Sequence, residues 1–323
     1  MPIIEVDGLV RRFGALEAVR GVSFTVEEGE AFGFLGPNGA GKTTTINMLC
    51  TLLRPTAGSA RVNGFDVARE RDAVRRSIGL VFQDPSLDEY LTAEQNLRFH
   101  AYAYAVPARE REQRIRDLLT LMGLWDRRRS RVREYSGGMK RRLELARGLL
   151  HHPRVLFLDE PSLGLDPQTR RRIWDYIHEL RHREGVTIFF TTHYMDEAEH
   201  ADRLAVIDGG RIVALDTPGA LKSALGGDVI TLRTVAGDAL AAELRDRYQV
   251  EPEVRDGTVS FRAARGEELL PEVIRGATVA LHAAGVRAPT LDDVFIALTG
   301  RAIPDEGADT RERLRQVRRM RRR

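Results

Sequence analysis

The sequence predicts an α/β fold followed by a small α+β domain. Largely apolar runs at 31–35, 155–158 and 186–192 end in polar turns, which is typical of strands buried on both faces of a parallel sheet. Predicted helices separate these runs. Near residue 226 the pattern changes to short strands and helices, and a length of 323 residues leaves room for such a second domain.

The first segment, residues 3–30, is predicted to form short strands joined by turns, one of them at Asp7-Gly8. Phe13 lies in a predicted loop after two arginines. An aromatic ring at such a position can stack on a purine base, with an energy of about 1–3 kcal/mol. An ordinary core phenylalanine is the simpler interpretation of this residue taken alone.

The next segment fits the phosphate-binding pattern G-x-x-x-x-G-K-[ST]. Its glycines permit backbone conformations in which successive N–H groups point at an anion, and a helix predicted to start at Lys42 adds its positive N-terminus. Lys42 is expected to reach the β- and γ-phosphates, and the Thr43 hydroxyl to ligate Mg²⁺. The sequence therefore predicts a nucleoside triphosphate site formed by Gly36, Pro37, Asn38, Gly39, Ala40, Gly41, Lys42, Thr43 and Thr44.

Residues 78–84 predict an apolar strand that ends in a polar turn at Gln83. Residues 92–151 are predicted to be mostly helical, and their many arginines are expected to lie on solvated faces.

Two glycines follow a serine at a predicted helix start, in the run Ser136-Gly137-Gly138. Ser136 is either a simple N-cap or part of a second anion site, because N–H groups and a hydroxyl converge at a helix N-terminus. The residues alone leave both interpretations open.

Two carboxylates, Asp159 and Glu160, follow the apolar run at 155–158. Ligands bind at the carboxyl ends of the strands in open α/β sheets, so both side chains are predicted to face a ligand. Asp159 is suited to Mg²⁺, directly or through water, and Glu160 to the activation of an attacking water. His193 ends the next predicted strand and is predicted to belong to the same site.

Residues 203–215 predict a hairpin that closes the first domain, assigned to 1–225. Residues 226–300 show the order β-α-β-β-α-β, with helices at 239–248 and at about 267–284, and a further helix at 291–298 follows the last strand. This order is typical of a small ferredoxin-like domain.

The net charge of +3 is unevenly distributed. Residues 311–323 carry eight arginines against Glu312, a net of +7, which leaves the first 310 residues at −4. The tail at 301–323 is therefore either a solvated terminus or a basic segment attracted to anionic lipid, at about 1 kcal/mol per basic residue. Nucleic acid would attract the same charges, but the acidic body makes it an unexpected partner.

The single cysteine, Cys50, cannot support a disulfide framework and fits a reducing cytoplasm. No apolar run approaches the roughly 18–20 residues that span a bilayer. The N-terminal residues do not have the pattern of a signal peptide.

Taken together, these motifs resemble the nucleotide-binding domain of ABC transporters, over about residues 3–225 and with every motif in family order. The resemblance implies a mixed-sheet core, an antiparallel β subdomain and a helical subdomain at about 88–151. In the family, the serine-glycine signature reaches the γ-phosphate bound by the other protomer. The implied partner is therefore a second copy of the chain, arranged head to tail around two ATP molecules with Mg²⁺.

The resemblance also implies a role for each matching residue. These roles are adenine stacking for Phe13, phosphate binding for Lys42, metal binding for Thr43, Gln83 and Asp159, γ-phosphate sensing for Gln83, general base catalysis for Glu160, a γ-phosphate brace for His193, action in trans for Ser136, Gly137 and Gly138, and contact with the partner protomer for Asp166.

Two positions depart from the family pattern. The signature usually reads Leu-Ser-Gly-Gly-Gln, whereas Tyr135 and Met139 stand at its first and last positions here. Met139 cannot make the polar contact of a glutamine. Phe13 replaces the commoner tyrosine and loses only a hydroxyl, so neither change removes a catalytic group.

A narrower resemblance is to the ATPase subunits of daunorubicin/doxorubicin-type drug exporters. It rests on residues 34–45, 87–97 and 289–300, the last of which is similar to the closing element of that subgroup's C-terminal domain. It implies an ATP-hydrolysing energy-coupling subunit at the cytoplasmic face of the membrane. Export of a drug, antibiotic or other hydrophobic compound would then require a separate membrane permease.

Two other functions fit parts of the pattern. A non-transport ATPase of the same superfamily would act on nucleic acid or ribosomes. Its translation-factor members resemble two such domains in one chain, and its DNA-repair members insert a long coiled coil that residues 44–135 lack. A kinase or GTPase would share only the phosphate-binding loop and would leave Ser136 and His193 unexplained.

Overall fold

The computed structural model describes residues 2–83 and 86–301, and the chain divides into two units between Thr217 and Pro218. This division precedes the boundary expected at residues 225 and 226, because Pro218 already begins a helix of the second unit. The predicted arginine tail lies, apart from Arg301, outside the described residues.

The first unit alternates strands and helices along most of its length. Its elements are β1 (Pro2–Phe13), β2 (Leu16–Glu27), β3 (Ala31–Leu35), α1 (Lys42–Leu49), β4 (Ala57–Val62), β5 (Phe65–Asp66), α2 (Arg71–Ser77), β6 (Ile78–Val81), α3 (Ala93–Ala103), α4 (Ala108–Leu121), α5 (Gly137–Leu149), β7 (Val155–Asp159), α6 (Pro167–Glu184), β8 (Thr187–Thr192), α7 (Met195–Ala198), β9 (Arg203–Asp208) and β10 (Arg211–Asp216).

An antiparallel sheet in the order β2-β1-β4-β5 forms the N-terminal part of this unit. The predicted break at Asp7-Gly8 was wrong, because β1 continues through it as an irregularity in the pairing with β2. Gly8 adopts a left-handed φ of +55°, and its N–H donates to Ser23 Oγ at 2.8 Å. A glycine that signals a turn in the sequence therefore forms a bulge inside a long strand.

The second sheet has the order β10-β9-β3-β8-β7-β6, in which all neighbours are parallel except β10 and β9. Every residue of β3, β7 and β8 is buried, as predicted for strands covered on both faces. The predicted α/β class with a mixed sheet is confirmed. In this register Leu35 lies opposite Thr192, and Asp159 lies opposite Thr191, so the carboxyl ends of the three strands meet at one edge.

Four phenylalanines join the two sheets of the first unit. Phe24 of the antiparallel sheet packs against Phe32, Phe34 and Phe189 of the mixed sheet, with ring centroids 5.2 to 6.0 Å apart. These buried rings fix the sheets relative to each other just below the edge at which the strands end.

Helices α3, α4 and α5 lie between β6 and β7 in the chain, in the region predicted to be helical. The approach of α5 to β6 depends on two glycines. A Cβ at Gly79 would lie 2.1 Å from the carbonyl oxygen of Gly148, which no side chain tolerates without movement of the backbone. Gly79 thus sets how closely the helical region packs against the sheet.

The second unit has one four-stranded antiparallel sheet in the order β12-β13-β11-β14. Buried residues of this sheet pack against two of its helices. Its elements follow the order β-α-β-β-α-β between a first and a last helix, and they are α8 (Pro218–Ser223), β11 (Asp228–Arg233), α9 (Gly237–Tyr248), β12 (Glu253–Arg255), β13 (Thr258–Ala263), α10 (Gly266–Gly276), β14 (Ala283–Arg287) and α11 (Leu291–Thr299).

The helix predicted at about 267–284 was too long, because α10 ends at Gly276. The chain leaves the helix where the N–H and hydroxyl of Thr278 both donate to Glu243 Oε2 of α9, at 3.1 and 2.8 Å. Across residues 2–83 and 86–301, no helix has both the length and the apolar character to cross a membrane.

We expect Gly79→Ala to lower the free energy of unfolding by about 1–3 kcal/mol, because its Cβ overlaps a main-chain oxygen. The matched control is Gly148→Ala, whose Cβ would lie 3.1 and 3.3 Å from the side chains of Leu156 and Val81, with the main-chain nitrogen of Leu80 at an ordinary 4.0 Å. Urea denaturation followed by tryptophan fluorescence measures both variants. Equal stabilities for the two variants would show that the contact at Gly79 does not limit the packing.

Candidate active site

The loop between β3 and α1 has a shape that requires glycine. Gly41 has a φ of +104°, and a Cβ there would lie 2.6 Å from Ala18 O. A Cβ at Gly36 would lie 2.3 Å from Ile207 O. The loop therefore passes against the main chain of two neighbouring strands, and α1 starts at Lys42 as predicted.

The ammonium group of Lys42 is buried inside this loop. Its Nζ donates to the carbonyl oxygens of Gly36 and Pro37, at 2.8 and 3.2 Å. Nζ also lies 3.3 Å from Glu160 Oε1, and both side chains are less than 8% exposed. The loop holds a cation where the predicted phosphates require one.

Thr43, Asp159 and Thr191 form a cluster of oxygen atoms beside Lys42. The hydroxyls of Thr43 and Thr191 both donate to Asp159 Oδ1, at 3.1 and 2.6 Å. Burial raises the pKa of Asp159, and the two hydroxyls oppose that shift only in part. A carboxylate and a hydroxyl oxygen in contact are the hard donors that Mg²⁺ prefers alongside phosphate oxygens and water, so this pair fits the metal.

Glu160 has an unusual backbone, with a left-handed φ of +47°. A non-glycine residue pays about 1–3 kcal/mol for such a conformation, which the surrounding structure must enforce. Its N–H donates to Thr191 Oγ1 at 3.1 Å. The strained backbone turns the carboxylate toward Lys42 and His193.

The carboxylate of Glu160 lies between two nitrogen groups. Burial alone would raise the pKa of Glu160, but the neighbouring His193 and Lys42 outweigh that effect and hold the pKa below its usual value. The carboxylate is therefore ionised at neutral pH, as a general base must be.

His193 follows β8 and is almost fully buried. Its Nδ1 lies 3.3 Å from Glu160 Oε2, but neither ring nitrogen has a hydrogen-bond partner among the described residues. Buried polar groups are rarely left in that state. An imidazole so placed is suited to bind an oxygen of a ligand at the strand edge.

The structure locates Phe13 at the tip of the β1–β2 hairpin, paired with Leu16 and 44% exposed. The guanidinium of Arg11 lies 4.5 Å from the ring centroid. The same hairpin passes Gly41 at Ala18, two residues after the strand partner of Phe13. Gln83 is exposed two residues after β6 and makes no described contact with the site residues.

Ser136 is the N-cap of α5, and its Oγ accepts from Met139 N at 3.3 Å. Ser136 and Gly137 are exposed, and within the described ranges no hydrogen bond or ion pair joins them to Lys42 or Glu160. Gly138 is constrained by packing, because a Cβ there would lie 2.7 Å from the side chain of Thr169. Within one chain the signature thus forms an exposed helix N-terminus.

Asp166 is exposed and caps the N-terminus of α6. Its Oδ1 accepts from the N–H groups of Gln168 and Thr169, and its Oδ2 accepts from the Thr169 hydroxyl. These hydrogen bonds, the Thr169 hydroxyl foremost, lower the pKa of Asp166. Asp166 therefore has a structural role within the chain, whereas its predicted contact with a second copy remains a prediction.

Arg141 was not predicted as a site residue, because the arginines of residues 92–151 were expected to lie on solvated faces. The side chain of Arg141 is only 7% exposed and is bonded to main-chain oxygens next to Glu160. The one signal in the sequence was its place in the first turns of the helix after Ser136.

Comparison with known proteins identifies the family. The family described as ABC transporter matches residues 19–163. Daunorubicin resistance ATP-binding protein DrrA3 of Streptomyces coeruleorubidus is 43% identical over 307 residues, which cover 92% of this chain and 96% of that protein. Daunorubicin/doxorubicin resistance ATP-binding protein DrrA of Streptomyces peucetius is 42% identical, with 95% of each chain covered.

A solved structure shares the fold of the first unit. The dimeric structure of a post-hydrolysis state of the ATP-binding cassette MJ0796, bound to ADP and Pi, is 26% identical with a TM-score of 0.60. The superposition covers 66% of the present chain and 98% of the MJ0796 chain. Together with the matches that span nearly the whole sequence, this likeness shows that the protein belongs to the ABC transporter family of ATP-binding proteins.

Proposed function

We propose that this chain is the ATP-hydrolysing, energy-coupling subunit of an ABC export complex. Members of the family hydrolyse ATP to power transport. The observation that carries the proposal is the buried carboxylate of Glu160, within 3.3 Å of both Lys42 and His193 and next to Asp159. A cation, a base and a second carboxylate at one strand edge are the groups that phosphoryl transfer to water requires.

The residues divide the reaction between them. Lys42 exchanges its carbonyl contacts for oxygens of the β- and γ-phosphates, and Thr43 and Asp159 would hold Mg²⁺. Bound there, the ion would supply neutralisation of the phosphate charge. Glu160 accepts a proton from the water that attacks the γ-phosphorus, while the bond from that phosphorus to the bridging oxygen of ADP breaks. His193 binds a γ-phosphate oxygen through Nε2, while Nδ1 stays beside Glu160 Oε2.

The remaining predicted residues complete the site around the nucleotide. Phe13 stacks on adenine from the hairpin tip, and Gln83 senses the γ-phosphate or the metal from the end of β6. Ser136 and its two glycines serve the site of a second copy, because they form an exposed helix N-terminus of the kind that binds anions. The dimeric MJ0796 structure supports this arrangement.

Transport requires a membrane partner. We infer that a separate permease supplies the path, and that closure of the ATP-bound dimer changes its conformation while hydrolysis reverses the change. The DrrA proteins, named for resistance to daunorubicin and doxorubicin, support export of a drug, an antibiotic or another hydrophobic compound. The chain would then act at the cytoplasmic face of the membrane.

Glu160→Gln should reduce ATP turnover by about 10²–10⁴-fold and leave ATP binding intact, because it removes the base and keeps the shape. Lys42→Ala should instead weaken ATP binding by about 10- to 100-fold, the equivalent of one charge-assisted hydrogen bond. Phosphate release and calorimetric titration separate the two effects. Near-normal turnover by Glu160→Gln would remove Glu160 from its role as base.

Mixing two inactive variants tests whether Ser136 acts in trans. A Ser136→Arg protomer combined with a Lys42→Ala protomer should form one intact composite site. Each homodimer has no intact site, because its substitution affects both composite sites. We expect partial recovery of turnover, together with ATP-dependent heterodimers detected by differently tagged protomers. Absence of both the heterodimer and the activity argues against the head-to-tail arrangement.

The arginine-rich tail supplies a proposal about membrane attachment. Residues 311–323 carry a net charge of +7, and about 1 kcal/mol per basic residue near an anionic surface makes that attraction large. Deletion of residues 311–323 should leave soluble ATPase activity unchanged and reduce co-sedimentation with phosphatidylserine-containing vesicles. The difference should vanish at about 1 M salt, where the Debye length is about 3 Å. Equal vesicle binding at low salt would leave the tail without this role.

A further inference from the structure

The guanidinium of Arg141 on α5 is buried and fully hydrogen-bonded. Nε donates to Pro161 O at 2.5 Å, and Nη2 donates to Asp159 O and Glu160 O at 3.2 and 3.1 Å. Nη1 donates to Phe82 O at 2.5 Å and to Glu144 Oε2 at 3.1 Å. All five N–H donors of the side chain are therefore used, four of them on main-chain oxygens at the ends of β6 and β7.

Glu144, one turn further along α5, completes a buried ion pair. Its side chain has no exposed surface, and its Oε1 accepts from Ser86 N at 2.7 Å. Arg141 binds the carbonyl of Phe82, and Glu144 binds the N–H of Ser86. The pair thus holds the chain on both sides of Gln83.

The same guanidinium constrains Glu160. The N–H of Glu160 is held by Thr191, and its carbonyl is held by Arg141. The two hydrogen bonds flank the left-handed residue whose carboxylate faces Lys42. Arg141 therefore supplies part of the restraint that the strained conformation needs.

We propose that Arg141 and Glu144 form a positioning pair. This pair fixes Phe82 and Ser86, which lie on either side of Gln83 in the chain, and the backbone of Glu160 relative to α5. Because Ser136 is the N-cap of α5, this pair links the exposed signature to the two groups that act on the γ-phosphate. Neither side chain touches the nucleotide. The inference rests on the proposed function, since it takes the roles of Gln83 and Glu160 from there.

Geometry sets this pair apart from an ordinary buried ion pair. Arg114 offers the comparison, with a side chain 10% exposed, two hydrogen bonds to Glu184 and one to Leu149 O. Its partners, Glu184 and Leu149, lie at the C-terminal ends of α6 and α5, respectively. Arg114 is thus a partly buried, paired arginine whose hydrogen bonds reach none of the strand ends, and it provides a matched control.

The experiment compares Arg141→Lys with Arg114→Lys in the full-length chain. Lysine keeps the charge but cannot donate to five acceptors at once. We expect Arg141→Lys to lower kcat by about 10-fold or more, since small displacements of catalytic groups are costly, while the Kd for ATP changes by less than about threefold. Arg114→Lys should lower thermal stability to a similar degree and keep kcat within about twofold of the unmodified chain. A normal kcat for Arg141→Lys, or an equal loss in both variants, overturns the proposal.

Glu144→Gln provides a second variant if Arg141→Lys does not fold. Its amide oxygen still accepts from Ser86 N, but the charge that balances Arg141 is gone. We expect kcat to fall by about three- to tenfold without loss of ATP affinity, and an unchanged kcat contradicts the proposal.

Glu160→Gln, measured in parallel with the unmodified chain, separates a failure of the positioning role from a failure of the proposed function. If Glu160→Gln abolishes turnover and the pair variants do not, only the positioning role fails, whereas absence of ATP hydrolysis by the unmodified chain means that the proposed function itself fails.

Discussion

The buried ion pair between Lys42 and Glu160 is the interaction on which the rest of the site depends. Two opposite charges 3.3 Å apart, each less than 8% exposed, are tolerable only while both remain paired. The glycine loop places the cation, and a left-handed backbone places the anion. A ligand that draws the ammonium group of Lys42 away from Glu160 must therefore carry negative charge of its own, as a nucleoside triphosphate does.

Strand register explains why residues far apart in the sequence meet at this pair. Strands β3, β7 and β8 are parallel neighbours, so their carboxyl ends lie at one edge. This edge therefore brings together the loop before Lys42, the carboxylates after β7 and His193 after β8. The phenylalanine cluster fixes the antiparallel sheet against this edge, and with it the hairpin that carries Phe13.

Much of this arrangement could be predicted from the sequence, because it depends on local signals. Apolar runs, glycines and the residues that follow them predicted the start of α1 and the strand ends at Asp159 and His193. Arg141 could not be predicted, since its burial depends on carbonyl oxygens about 20 and 60 residues away in the chain. The strand through Gly8 was missed for a related reason: pairing with a neighbouring strand, rather than the glycine, decides the local structure there.

The most direct test of the account is a structure of the Glu160→Gln variant with Mg²⁺ and ATP. We expect a symmetric dimer in which Lys42 of one protomer and Ser136 of its partner both contact the same γ-phosphate, with Thr43 and Asp159 at the metal. A nucleotide bound to Lys42 while the signature of every protomer faces solvent would contradict the composite site. A nucleotide bound elsewhere would contradict the account as a whole.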